Sequence, residues 1–139
     1  MSVRRLQVID EAWSLLGQER TARYLQACWK LCSSYGVANV AIAHRISDLR
    51  SQADDGTTTA KVAMGLLSDT DTRVLFRQAS DQAAEAAELL QLTPRETYEL
   101  TRLGKGRALW KVGGHTAMVQ HVIAPGERAL CNTDTRLVV

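Results

Sequence analysis

Little in this chain suits the cell exterior or a membrane. Its 139 residues include three cysteines, Cys28, Cys32 and Cys131, an odd and scattered set that makes no disulfide framework. No apolar run approaches the ~18 residues a spanning helix needs. Arg4-Arg5 near the start is not followed by an apolar stretch of the signal-peptide kind. Neither sign of charge dominates: 17 Lys and Arg stand against 15 Asp and Glu, a net charge of +2, so nothing demands a nucleic acid or an anionic membrane as partner. No internal repeat, low-complexity tract or interdomain linker is visible. These absences together predict a cytosolic setting.

A further absence concerns phosphate chemistry. A phosphate-binding loop needs G-x-x-x-x-G-K-[ST], so that backbone N–H groups and a lysine surround the phosphates. The chain's Gly-Lys step is Gly104-Lys105, with Glu99 five residues before Gly104 and Gly106 after Lys105. A helical pattern precedes it and a strand pattern follows, the reverse of what such a loop requires.

What is present supports one domain with a real core, since 45% of the residues are hydrophobic. Leu6 to Ile9 reads as a buried strand that ends in Asp10-Glu11. Leu25, Cys28, Trp29 and Cys32 recur at helical spacing, and Gly36 is a helix stop. The two cysteines on that face read as small apolar core residues; a zinc or redox pair would call for a CxxC or clustered histidines, which the chain lacks. Val37 to Ala43 is a second buried strand ending in His44-Arg45. Ile46 to Gln52 reads as a short helical piece. A further helix starts near Thr57-Thr58-Thr59 with Ala60, Ala63, Leu66 and Leu67 on one face. Thr72 to Phe76 is a third strand, followed by Arg77-Gln78. Strand, helix, strand, helix, strand predicts a mainly parallel sheet over residues 1–79.

Residues 80–139 read differently, as helices and a β-hairpin. Ser80 to Leu90 is a helix rich in Ala and Glu. Thr93-Pro94-Arg95-Glu96 is a capping box with proline at the first helical position, and Gly104 ends that helix. Arg107 to Val112 and His115 to Val122 are strands joined by Gly113-Gly114, a two-residue hairpin signal. Trp110 shares a strand face with Ala108 and Val112, and that face is expected to pack on the body of the domain. His115 and His121 read as structural. The tail after Pro125-Gly126 reads as irregular, with a last strand at Leu137 to Val139.

In open α/β sheets ligands bind beyond the carboxyl ends of the parallel strands. Asp10-Glu11, His44-Arg45 and Arg77 all fall there. An acid pair after a hydrophobic strand is the Walker B arrangement, in which the Asp holds the hydration shell of Mg²⁺ and the Glu polarises the attacking water. The other reading is a solvated helix N-terminus, where acids complement the helix dipole.

The segment Val8-Ile9-Asp10-Glu11-Ala12-Trp13-Ser14-Leu15-Leu16 resembles the Walker B region of the ATPases of conjugation and type IV secretion, in the FtsK–HerA superfamily. His44-Arg45-Ile46-Ser47-Asp48-Leu49, Arg73-Val74-Leu75-Phe76-Arg77-Gln78 and Leu103-Gly104-Lys105-Gly106-Arg107-Ala108-Leu109-Trp110 are similar, in order and spacing, to the actinobacterial branch. The resemblance covers nearly the whole chain but only the C-terminal part of such a motor.

It implies a truncated RecA-like P-loop NTPase core plus a C-terminal helical and hairpin segment, from an expressed fragment or a shortened gene. Asp10 would be the magnesium-side, cofactor-binding acid and Glu11 the catalytic base. His44 stands where related motors place a polar sensor, often Gln; a hydrogen-bonded strand-end histidine is the alternative. Arg45, Arg73 and Arg77 are candidates for a finger reaching a neighbouring subunit's nucleotide, with an ion pair or solvated surface as the alternative for Arg73 and Arg77. The complete parent would use ATP and Mg, in the cytoplasm or at the cytoplasmic face of a membrane complex, with neighbouring ATPase subunits and the secretion or conjugation machinery as partners and DNA or protein as cargo. This chain alone would bind nucleotide weakly, would not hydrolyse ATP, and would self-associate through an uncapped sheet edge. A second reading is a stand-alone subunit-docking or regulatory module derived from such an ATPase, and a third is a small α/β protein with no nucleotide history.

Overall fold

The computed structural model describes residues 4–16, 18–32, 34–44 and 58–131. The expected helix at Ile46 to Gln52 and the expected strand at Leu137 to Val139 lie outside them. The fold is mixed α/β, with one parallel and one antiparallel sheet.

Strand β1 (Arg5–Ile9) leads into helices α1 (Ala12–Leu16) and α2 (Glu19–Leu31), and the chain returns as β2 (Val37–Ala41). β1 and β2 pair in parallel, with Arg5 opposite Val37 and Ile9 opposite Ala41. Parallel neighbours need such a crossover because the chain must travel back to the starting end. Helix α3 (Thr58–Ser68) packs on α1 and α2 through Leu16, Ala22, Leu25, Val62 and Ala63, all buried, with Ile9 of β1 and Leu66 against them. Side chains tie the layers at their edges. Asn39 Nδ2 donates to the Cys28 carbonyl, and Trp29 Nε1 donates to Thr70 Oγ1 at 3.3 Å. Cys28 and Cys32 are free and half-buried in α2 and the turn after it, and Cys32 Sγ donates to the Trp29 carbonyl.

The helices cover one face of the parallel pair. The other face presents Leu6, Val8, Val40 and Ile42, all between 41% and 67% exposed. Parallel sheets ordinarily have both faces covered.

The second sheet is built from β3 (Thr72–Leu75), β4 (Arg107–Val112) and β5 (His115–Gln120), in that order and all antiparallel. The mixed α/β class and the parallel β1–β2 pair are as expected, but the place of β3 is not. β3 is not a third parallel strand beside β1 and β2: Thr72 lies opposite Val112 and Leu75 opposite Leu109. The reason is cross-strand packing. β4 sets Trp110 and Leu109 opposite Val74 and Leu75, so the hairpin supplies apolar partners for β3. This sheet therefore spans residue 79, with β3 before it and β4 and β5 after it.

Helices α4 (Ser80–Leu90) and α5 (Pro94–Arg102) close a second core of Ala86, Leu100 and Leu103, with Leu75 and Leu92 packed against it. The capping box is present in full at Thr93 and Glu96. Gly113, at φ 55°, opens the two-residue turn between β4 and β5, which needs the left-handed region and so suits glycine. The chain after Pro125 corrects the expected irregular tail: α6 runs from Pro125 to Cys131. Proline occupies its first position, and the Ala124 N–H donates to Glu127 Oε2 at 2.9 Å, half of a capping box with no side-chain acceptor at the cap.

Trp110 is half-buried and Ala108 fully buried, while Val112 at the hairpin end is 47% exposed. The expected packing face is thus buried only toward the start of β4.

Candidate functional site

β1 delivers Asp10 and Glu11 to the carboxyl end of the parallel pair, and both residues are exposed. The chain reverses there. Asp10 Oδ1 accepts the backbone N–H of Glu11 at 2.9 Å, and Glu11 takes a φ of 50°. That left-handed conformation is uncommon for a residue with a Cβ and costs roughly 1–3 kcal/mol where the surroundings impose it. The surroundings here are specific. The Glu11 carbonyl accepts both the Ser14 N–H and Ser14 Oγ, each at 2.9 Å, and the Ala12 N–H donates to the Ile42 carbonyl at 3.1 Å. The turn is bonded forward into α1 and sideways to the segment leaving β2.

β2 brings the second element. The Ile42 N–H donates to the Ile9 carbonyl at 2.9 Å, so the two strands leave the sheet side by side. His44 follows two residues later and is exposed. The parallel register sets Asp10, Glu11 and His44 at one end of the sheet. Arg45 lies outside the described residues.

The two arginines associated with β3 differ. Arg73 is half-buried, and its guanidinium donates to the Leu67 carbonyl in the last turn of α3 at 2.7 Å. Cations at a helix C-terminus complement the dipole and satisfy its free carbonyls; this contact is neither the ion pair nor the solvated surface that the sequence offered beside the finger. Arg77 is exposed, just past the end of β3. Because β3 belongs to the antiparallel sheet, strand pairing does not place Arg77 at the acids' end of the β1–β2 pair.

Asp10 uses one oxygen for its own turn and keeps the other for an outside donor. Among the described residues no group of three or more His, Cys, Asp or Glu side chains is placed to hold an ion. Magnesium needs no such group, because it keeps several waters and takes one or two carboxylates besides phosphate oxygens. The exposed Asp10 carboxylate is compatible with that habit; a zinc site would take three or four protein ligands, and no such group lies among the described residues.

A second polar cluster, apart from these acids, joins α5 to the hairpin. The Glu96 carboxylate accepts the Thr93 N–H at 2.7 Å, Thr116 Oγ1 at 2.7 Å and Lys111 Nζ at 3.2 Å. Its side chain is only 12% exposed and that of Lys111 15%. Burial alone would raise its pKa; hydrogen bonds from Thr93, Thr116 and Lys111 outweigh burial and hold it at about 2, against an ordinary 4.5. The capping box announced Glu96, but Lys111 and Thr116 were not singled out in the sequence. Their proximity was legible in the hairpin, since Gly113-Gly114 sets Lys111 opposite Thr116. Ser14, which holds the Glu11 carbonyl, was missed; no sequence signal marks a hydroxyl bonded to a backbone turn.

His121 accepts Trp110 Nε1 at its own Nε2, 3.0 Å away, and its ring lies 5.8 Å from that of Phe76. This is the structural role expected of it. A shallow apolar groove between α4 and α5, lined by Ala83, Ala87, Thr97 and Tyr98, includes none of the expected site residues.

No family model matches the chain, and no curated protein matches it. Among solved structures it is similar to VirB4 of Thermoanaerobacter pseudethanolicus, with a TM-score of 0.77 and 21% identity over 89% of this chain. The match occupies 32% of that protein, so the chain spans about a third of its length. At this identity the likeness establishes the fold: that of one segment of VirB4.

Proposed function

We propose that this chain is the C-terminal segment of an ATP-hydrolysing motor of the conjugation and type IV secretion kind. The observation that carries the reading is the Asp10–Glu11 turn, in which two exposed acids stand at the carboxyl end of a parallel strand and the second is held in a left-handed conformation by bonds from both sides. A solvated helix start needs no such strain. The VirB4 fold and the resemblance of the surrounding segments support the same reading.

In this account Asp10 would hold the hydration shell of a magnesium ion, and Glu11 would orient and polarise the attacking water. Bound magnesium would neutralise charge on the phosphate oxygens. His44, at the same sheet end, serves as the polar group facing the terminal phosphate. Arg77 and Arg45 are the cations available to a neighbouring subunit's nucleotide. The phosphate loop must come from elsewhere, because the backbone donors that supply most phosphate affinity have no counterpart in this sequence. Neighbouring ATPase subunits, secretion or conjugation machinery and a DNA or protein cargo belong to the whole motor, at the cytoplasmic face of a membrane complex. Among the described residues no helix is long and apolar enough to cross a membrane.

The purified chain should therefore show no ATP turnover above background in a phosphate-release assay with Mg-ATP. Robust turnover that Glu11→Gln abolishes would overturn the division of labour proposed here.

A docking module is favoured by a separate observation. Among the described residues sixteen large apolar side chains are exposed, against seven buried ones larger than alanine. A surface so apolar is suited to association, and the two readings coexist if the segment works inside an assembly.

A further inference from the structure

The outer edge of β5 is an interaction surface whose chemistry can be read from the backbone. The two-residue turn at Gly113-Gly114 makes Val112 and His115 a hydrogen-bonded pair, and pairs alternate from there. Ala117 and Val119 therefore spend their N–H and C=O groups on β4, opposite Trp110 and Ala108. Thr116, Met118 and Gln120 direct theirs away from β4. β5 is the last strand of its sheet among the described residues, five of its six residues are exposed, and Met118 is 47% exposed.

Edge strands are ordinarily blunted by lysine or another charge, by proline, by a bulge or by brevity. β5 has none of these. Its sequence His-Thr-Ala-Met-Val-Gln carries no acid, lysine, arginine or proline, and its six residues pair with β4 in unbroken register. β3, the opposite edge, is four residues long and carries Arg73. β2 is also uncharged, but it is shorter, and residues 45–57 after it lie outside the described residues.

We propose that the β5 edge binds a second copy of this chain, β5 against β5 in antiparallel pairing about a two-fold axis at Met118. In that register Met118 faces Met118 of the partner copy and Thr116 faces Gln120, so every outward N–H and C=O gains a mate and no like charges meet. The identical neutral strand is self-complementary in one operation, which closes the assembly at two copies. Two three-stranded sheets become one of six strands, and Val122 and Ile123, 84% and 55% exposed just beyond β5, lie at the margins of the contact. The inference is independent of the nucleotide reading, since it uses no residue of the Asp10–Glu11 turn.

Sedimentation equilibrium across a micromolar series, with amide hydrogen exchange on the same samples, tests it. The unaltered chain should rise with concentration from 15.3 kDa toward twice that mass, and the amides of Thr116, Met118 and Gln120 should gain protection in step. Met118→Pro removes an outward N–H while leaving the β4 ladder whole, and Met118→Lys adds a charge at the axis. Both variants should stay at 15.3 kDa with circular dichroism unchanged, and Val8→Lys, on the apolar face of the parallel pair, should leave the dimer intact. A monomer throughout, a dimer indifferent to both Met118 variants, or protection of those amides that does not vary with concentration would overturn the proposal.

Discussion

Glu11 carries the cost of the proposed chemistry in its own backbone. A φ of 50° is free for glycine and strained for glutamate, so the residue is kept there against local preference by Ser14, Asp10 and the neighbouring Ile42 segment. Glu11→Gly should raise stability by about 1 kcal/mol, seen as a higher denaturant midpoint at unchanged slope. An equal or lower midpoint would show that the carboxylate, not the backbone, makes the net contribution. The acid pair was legible in the sequence, because a short apolar run stopping at Asp-Glu is visible in the letters. The left-handed turn was not, since it arises from hydrogen bonds to Ser14 and to the strand alongside. Arg73 shows the limit from the other side: its charge and place after a helix were legible, but the carbonyl of Leu67 that claims it was not.

At the scale of elements, Glu96 is the fastening that holds α5 to the hairpin. Its pKa of about 2 in the fold, against an ordinary 4.5, means that the folded state favours the ionised form. The stabilisation is fully present above about pH 4.5 and is lost as pH falls from there toward 2, and it amounts to at most about 3 kcal/mol. Glu96→Gln should lower stability at neutral pH by about 2–3 kcal/mol and flatten the fall in stability over that acid range. Denaturation midpoints at several pH values check both; a parallel fall in the variant and the parent would assign the acid loss to other carboxylates. The helices Ser80–Leu90 and Pro94–Arg102 and the strand Arg107–Val112 were readable because capping box, periodicity and Gly-Gly turn agree. α6 was not, since an alanine cap gives no sign of itself and the glutamate that serves it follows a Pro-Gly pair that reads as a turn. Nor was the pairing of β3, because strand alternation marks an element and says nothing of which neighbour supplies its apolar mates.

At the scale of the whole molecule, the fold is two small cores, one under the parallel pair and one under the hairpin sheet, with much apolar surface left open. Such a body is suited to a larger machine, and its VirB4 likeness covers about a third of that protein. The proposed role therefore turns on what the acids do once a phosphate loop stands beside them. The most direct measurement exchanges this chain for the matching third of VirB4 and compares Mg-ATP turnover and nucleotide binding with and without Glu11→Gln. The account predicts that the chimera hydrolyses ATP, and that the substitution reduces turnover at least 100-fold, roughly the range for a lost catalytic base, while ATP binding is retained. A chimera that hydrolyses ATP equally well with Gln at position 11 would contradict it.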